Sequence, residues 1–176
     1  MVPVLGGKKR VHTEMTTHLH ITNIDVGWDT NRNEALLNVY GITSGGEQES
    51  VEVYGFLPYF YALTDEATER ESELLQTEGV RSVEHGFTSI FGDDVSKITV
   101  SKVRLIGELS DSFSQSFDAD VRLENRFRID LDIYSGIEYE GIRVHYSEIA
   151  PIDLEGEPRI LNFDIETDDR GAFPEI

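Results

Sequence analysis

Three stretches of alternating apolar and polar residues, parted by turn-forming residues, constrain the fold of this chain more than any other feature. Residues 19–26 (LHITNIDV), 34–42 (EALLNVYGI) and 50–56 (SVEVYGF) bring apolar side chains back at nearly every second position. Alternate side chains of an extended chain face the same side, so this spacing is that of half-buried strands. Asn31-Arg32-Asn33 and Ser44-Gly45-Gly46 fill the gaps with residues that turn readily. Together they predict an antiparallel meander, with Val51 and Val53 on one face of its third strand.

Beyond the meander, residues 65–78 (DEATERESELLQTE) predict a charged helix that carries Leu74 and Leu75 near its end and stops at Gly79. Residues 97–105 (KITVSKVRL) read as a strand, 108–117 as a short helix, 119–123 as a strand and 141–145 as a short strand. The segment 126–134 (RFRIDLDIY) fits a helix or a strand, and its periodicity does not decide between them. Residues 151–158 (PIDLEGEP) have the proline, glycine and acidic character of a linker. The expected fold class is α+β: a mixed-sheet domain with short helices over 15–150, a linker at 151–158, and the start of a second domain at 159–176. Residues 1–14 contain Lys8-Lys9-Arg10 with no apolar run behind them. They read as a disordered leader, with Met15 as the more natural start of the folded part.

Charge narrows the classes of function. The 176 residues carry 34 acidic against 15 basic side chains, for a net charge of −19. Only 4 of the basic residues are lysine and 11 are arginine. Dense surface carboxylate with little lysine suits a halophile's cytoplasm, where salt screens the self-repulsion. Such a balance opposes nucleic-acid binding by bulk electrostatics but leaves room for a local basic patch. Arg122, Arg126 and Arg128 form the densest such cluster. It is a candidate for contact with a DNA backbone, and salt-bridging to neighbouring carboxylates is the competing reading. The absence of cysteine excludes disulfides, thiolate metal sites and cysteine nucleophiles. No apolar run approaches the roughly 20 residues of a membrane span, and no secretory signal opens the chain. The expected location is cytoplasmic, without a membrane. His18 and His20 share one strand face, but the histidine spacing does not point to a metal site. Trp28, beside Gly27, reads as a loop aromatic covering the core.

The densest chemistry lies near the end, in residues 159–167 (RILNFDIET). An apolar run leads into Asp164 and Glu166, which share one face of an extended chain. Two hard oxygen ligands on a stiff element suit Mg²⁺ or Mn²⁺, and a pair of such ions can drive phosphodiester hydrolysis. An Asp-X-Glu pair alone is also common on solvated strand faces. Asp168 and Asp169 read as loop acidity rather than as further ligands.

Phe163-Asp164-Ile165-Glu166-Thr167 resembles the first exonuclease motif, FDIET, of family B DNA polymerases. Upstream, Phe56-Leu57-Pro58-Tyr59-Phe60-Tyr61-Ala62-Leu63 resembles the proline–tyrosine segment in the N-terminal domain of archaeal members. The block around Phe127 and Gly136 and the Pro-acidic-Gly linker follow in the same order, so the resemblance covers Leu19 to about Thr167. It implies a polymerase N-terminal domain, followed by the first strand of a ribonuclease-H-like 3′–5′ exonuclease domain. It further implies DNA-directed DNA synthesis with proofreading, Mg²⁺ or Mn²⁺ held by Asp164 and Glu166, and DNA as partner through template and primer 3′ end. A sliding clamp would be met through regions outside this chain. In this resemblance Pro58 and Tyr59 match the wall of a pocket that senses deaminated template bases. The acidic composition suggests a haloarchaeal version. Two positions depart from the pattern: Val26 stands where an aromatic residue is frequent, and Asp130 where a basic one is. The remaining catalytic motifs are expected beyond Ile176, so this polypeptide alone is expected neither to polymerise nor to excise. Two competing expectations are a free-standing acidic module that binds nucleic acid or a partner, and an unrelated nuclease of ribonuclease-H-like fold.

Overall fold

A computed structural model describes residues 16–154. The predicted meander forms from β1 (Thr16–Asp29), β2 (Glu34–Thr43) and β3 (Gln48–Tyr54), paired antiparallel in order. A bulge between Ile21 and Asn23 interrupts the alternation of β1. It lets Leu19, Ile21 and Ile24 all face the core, although strict alternation would turn Ile24 away. The β1–β2 turn is closed by Asp29, whose Oδ1 accepts hydrogen bonds from the N–H groups of Asn31 (2.9 Å) and Arg32 (3.2 Å). Asn33 completes the turn in the left-handed region at φ 54°.

The chain then builds a second sheet. β4 (Tyr59–Leu63) leads into α1 (Thr64–Glu69) and α2 (Glu71–Gln76), then β5 (Val80–Thr88) and β6 (Asp94–Val100). After α3 (Arg104–Ser110), β7 (Ser116–Phe117) and α4 (Leu123–Asp130), the chain returns to the first sheet as β8 (Gly136–Glu140), β9 (Arg143–His145) and β10 (Ala150–Ile152). The first sheet has the order β10-β8-β1-β2-β3-β9 and the second β5-β6-β4-β7. All pairings among the described residues are antiparallel except β3–β9. This is an α+β fold of mixed sheets and short helices, as the sequence predicts.

Each sheet buries its own core. Under the first, Leu19, Leu37, Val39, Val51, Val53 and Ile137 meet Leu123 and Phe127 of α4. Phe127 stands edge-on to Phe56 at 5.3 Å. Under the second, Phe60, Ala62, Ile98 and Val100 meet Ala67, Leu74 and Ile106 of the helices. A backbone bond stitches the two sheets, Ala35 N–H to Ser101 C=O at 2.7 Å, and Val100 N–H to Pro58 C=O at 2.8 Å extends the β4–β6 ladder.

Several predicted elements are corrected. The helix expected over 65–78 breaks at Arg70, where φ is −100°. The Arg70 guanidinium lies on the Phe113 ring at 4.4 Å and donates to Ser112 C=O at 3.1 Å, contacts that a straight helix face would not reach. Gly79 does end α2's segment, at φ 96°. The strand expected over 97–105 stops at Val100, because Ser101 turns to give its N–H to Gly79 and its C=O to Ala35. The expected helix over 108–117 starts earlier, at Arg104, and ends at Ser110, while Ser116 and Phe117 pair with β4. The segment 119–123 is a turn into α4 rather than a strand. The ambiguous segment 126–134 is helical through Asp130 and stops where Asp132 adopts φ 54°. Pro151 and Ile152, read as the start of a linker, pair with β8 as part of β10. Residues 155–158 lie outside the described residues, as do 1–14 and the carboxylate segment 159–176.

One ion pair ties the meander to its far edge. Asp29 is buried at the end of β1, and its Oδ2 accepts from the Arg143 guanidinium on β9, which also donates to Glu52 at 3.1 Å. Burial pushes the Asp29 carboxyl upward, but the two turn N–H groups and Arg143 outweigh it and hold it below its ordinary value. A depressed carboxyl contributes stability above its unfolded pKa of about 3.9, and that contribution is lost as pH falls through the lower folded value. An Asp29→Asn variant should therefore be less stable than the parent at neutral pH, with the gap closing as the solution is acidified below about pH 4. Urea denaturation across pH measures this, and a gap independent of pH would contradict it.

Candidate nucleic-acid interface

Pro58 and Tyr59 stand where the chain crosses from the first sheet to the second. Pro58 is fully buried, and its locked backbone delivers Tyr59 to the first position of β4. Alternation along β4 then sends Phe60 and Ala62 into the second core, and Tyr59 and Tyr61 to the opposite face. On that face Tyr59 is enclosed by groups from β6 and α4. Its hydroxyl donates to Asp130 Oδ2 at 2.6 Å. The Arg126 guanidinium lies over its ring at 4.0 Å and the Lys97 ammonium at 4.2 Å. Tyr61 meets it edge-on at 5.5 Å. Tyr59 is only 6% exposed. Burial, and after it the bond to Asp130, pushes its phenol far above the ordinary tyrosine value.

The three arginines of the basic cluster part company. Arg126 is 4% exposed and turns inward, donating to Asp118 C=O at 2.7 Å and standing 3.9 Å from its Oδ2. Its Nε has no hydrogen-bond partner among the described residues. Arg122 is on the surface, paired with Glu124 at 2.8 Å. Arg128 is also on the surface, with a long 3.5 Å contact to Tyr134 C=O. Arg126 thus serves Tyr59, and only the other two face solvent. Asp164 and Glu166 lie outside the described residues. Among the described residues, no group of three or more His, Asp or Glu side chains is arranged to hold a metal ion.

Two clefts open beside this junction. One, of about 410 Å³, is lined by Phe56, Tyr59, Arg81, Lys97, Thr99 and Asp130. The other, of about 430 Å³, is lined by Val26, Trp28, Asn33, Ala35, Lys102 and Val103, with Lys102 over the Trp28 ring at 5.3 Å. Val26 therefore lines a different cleft from Tyr59. Asn33 connects the two, because its C=O accepts from Arg81 at 3.1 Å. Arg81, Lys97 and Lys102 form no ion pair with any described carboxylate, whereas Arg32, Arg70, Arg104, Arg122, Arg126 and Arg143 all do. These three cations lie around two adjoining clefts, the first of which is also lined by the carboxylates of Glu84 and Asp130. No local pattern in the sequence brings the three together. The alternation Val95, Lys97, Thr99 would have placed Lys97 on the outer face of β6, but nothing local placed Arg81 or Lys102 beside it.

No protein-family model matches the chain, and no curated protein matches it. Among solved structures, the chain is similar to the family B DNA polymerase from the hyperthermophilic archaeon Pyrobaculum calidifontis, with a TM-score of 0.67 and 20% sequence identity. The match covers 82% of this chain and 21% of that one, so the chain spans about a fifth of the polymerase's length. At this identity the likeness establishes a shared fold. No helix among the described residues is long and apolar enough to cross a membrane.

Removing the Tyr59 hydroxyl leaves Asp130 without its short bond while keeping the ring under Arg126 and Lys97. A Tyr59→Phe variant should lose about 1–2 kcal/mol of stability. Chemical denaturation reads this directly, and a loss below about 0.3 kcal/mol would show that the bond carries no weight.

Proposed function

We propose that this chain is the N-terminal region of an archaeal-type family B DNA polymerase. In this reading residues 15–152 form the template-contacting domain, 153–158 lead out of it, and 159–176 open a 3′–5′ exonuclease domain. The observation that carries the reading is a coincidence of two independent signals. The fold of 82% of the chain follows that of a family B polymerase, and the FDIET residues follow the described domain in the order that such a polymerase would require. The parent enzyme performs DNA-templated nucleotidyl transfer with proofreading. Asp164 and Glu166 offer two hard carboxylate ligands with the chemistry that Mg²⁺ or Mn²⁺ prefers, and such ions, when bound, supply activation of water and stabilisation of the leaving oxygen. The acidic, lysine-poor composition fits a haloarchaeal source.

The template contact proposed for this domain is the pair of clefts around Arg81, Lys97 and Lys102, with Tyr59 in the wall of the first. Cations free of carboxylate partners can exchange counterions for phosphates, whereas Arg126 is committed to Tyr59 and Asp118. Arg122 and Arg128 stand further out as secondary backbone contacts. Pro58, fully buried, holds Tyr59 in place from beneath rather than touching a base.

Two outcomes are expected. The chain binds a short single-stranded DNA with an affinity that falls as salt rises. Replacing Arg81 and Lys97 by Ala lowers the slope of log K against log salt by about 0.7 for each phosphate no longer neutralised. Fluorescence anisotropy across a salt series measures this, and binding that the double variant leaves unchanged would move the template path elsewhere. With Mg²⁺ alone, the 176-residue chain should not degrade single-stranded DNA. Degradation that disappears in Asp164→Ala would contradict that expectation.

A further inference from the structure

The outer face of the second sheet holds a third cleft, next to the Tyr59 junction through Tyr61 but of a different lining. It measures about 430 Å³ and is lined by the aromatic residues Tyr61, Phe87, Phe91 and Phe117, with Val95 at its base and Asp118 at its edge. Tyr61 and Phe87 meet at 5.5 Å with their planes at 62°, so two walls stand at a steep angle. Phe117 is the cross-strand partner of Tyr61, and Val95 that of Phe87, which places these side chains side by side on one face. Phe91 rises from the β5–β6 turn and is 76% exposed. It is held there, because Ser89 Oγ accepts from the N–H groups of Phe91 (3.2 Å) and Asp93 (3.1 Å), and Ser89 N–H reaches Asp93 C=O at 2.8 Å. Asp118 adopts φ 57°, an uncommon conformation for a residue with a side chain, and its backbone carbonyl is fixed by Arg126.

Aromatic faces carry negative quadrupole charge, and a ring of them closed by a carboxylate attracts a cation whose hydration is weak. No Lys or Arg lines this cleft, and the chain around it has a net charge of −19. A nucleobase would also stack on these rings, but every base brings a phosphate, and here a phosphate would meet the Asp118 carboxylate, with Arg126 buried behind it, bound to the Asp118 carbonyl and 3.9 Å from Oδ2. The chemistry separates this cleft from the one at Arg81 and Lys97. We infer that the Tyr61–Phe87–Phe91–Phe117 cleft is an aromatic cage that binds a methylated ammonium group, closed on one side by Asp118. The same group could arrive on a free solute or on a methylated lysine of a protein.

Choline and its neutral isostere 3,3-dimethylbutan-1-ol have the same shape and differ in charge, so they separate cation–π attraction from plain apolar burial. Titrated into the full chain and followed by side-chain NMR, choline should bind saturably, with the isostere about fivefold or more weaker. Phe87→Ala should abolish the shifts. Asp118→Asn keeps a residue that tolerates positive φ and keeps the backbone carbonyl that Arg126 binds, and in a chain shown to be folded by its NMR spectrum it should weaken choline several-fold. A trimethyllysine peptide competing with choline more strongly than free tetramethylammonium would assign the source to a protein. The reverse order would assign it to a solute, and either ranking supports the cage. Equal binding of choline and the isostere, full binding by a folded Phe87→Ala chain, or displacement of choline by an oligothymidine would overturn the inference. It stands apart from the polymerase reading, whose failure would appear as loss of DNA binding with choline binding intact.

Discussion

The Tyr59 hydroxyl reaches across the joint between two sheets to Asp130 of α4, and the arrangement around that joint depends on it. Each sheet has its own hydrophobic core, and the cores would hold the halves without fixing their relation. Tyr59 belongs to the second sheet, while α4 packs its Leu123 and Phe127 under the first. A directional bond of 2.6 Å between them, with Arg126 laid over the ring, supplies geometry that apolar contact lacks. Arg126 could not be buried alone. The carbonyl of Asp118 and the Tyr59 ring take the place of water, leaving only its Nε unmatched among the described residues.

Charge is then distributed in a way that composition alone would not suggest. Most of the arginines are engaged with carboxylates or laid on aromatic rings, as Arg32 and Arg143 are around Tyr54. Those pairs screen an otherwise repulsive surface and hold elements in register. Arg81 and Lys97 line the cleft beside the Tyr59 joint, whereas the aromatic cleft of the outer sheet face has no Lys or Arg in its lining and meets Arg126 only behind Asp118. One acidic fold thereby carries two clefts of opposite lining, one with cations and one with aromatic rings and a carboxylate. A net charge of −19 describes neither.

The meander was legible because its strands are half-buried, and half-burial writes a period of two into the sequence. β4 was not, because Tyr59, Phe60 and Ala62 are all buried, so both faces read as apolar and the period disappears. β5 was masked by irregular pairing with β6 and by Gly86. The break at Arg70 and the turn at Ser101 answer to Phe113, Gly79 and Ala35, partners distant in sequence that no local window contains. The arginine cluster misled for a simpler reason. Residues two apart lie on one face of a strand but on different faces of a helix, and once 123–130 is helical, Arg126 and Arg128 must diverge. Tyr59 could be singled out by resemblance, but its partners come from β6 and α4 and became visible only in three dimensions.

In the proposed function the described domain is the front of a much longer enzyme, and the chain covers 21% of the polymerase it resembles in fold. The mass of the native product tests that claim most directly, read from a cell extract with an antibody raised against residues 16–154. The account predicts a product several times heavier than the 19.9 kDa of this chain. A stable product of 19.9 kDa, with no heavier species, would contradict it and leave a free-standing binding module in its place.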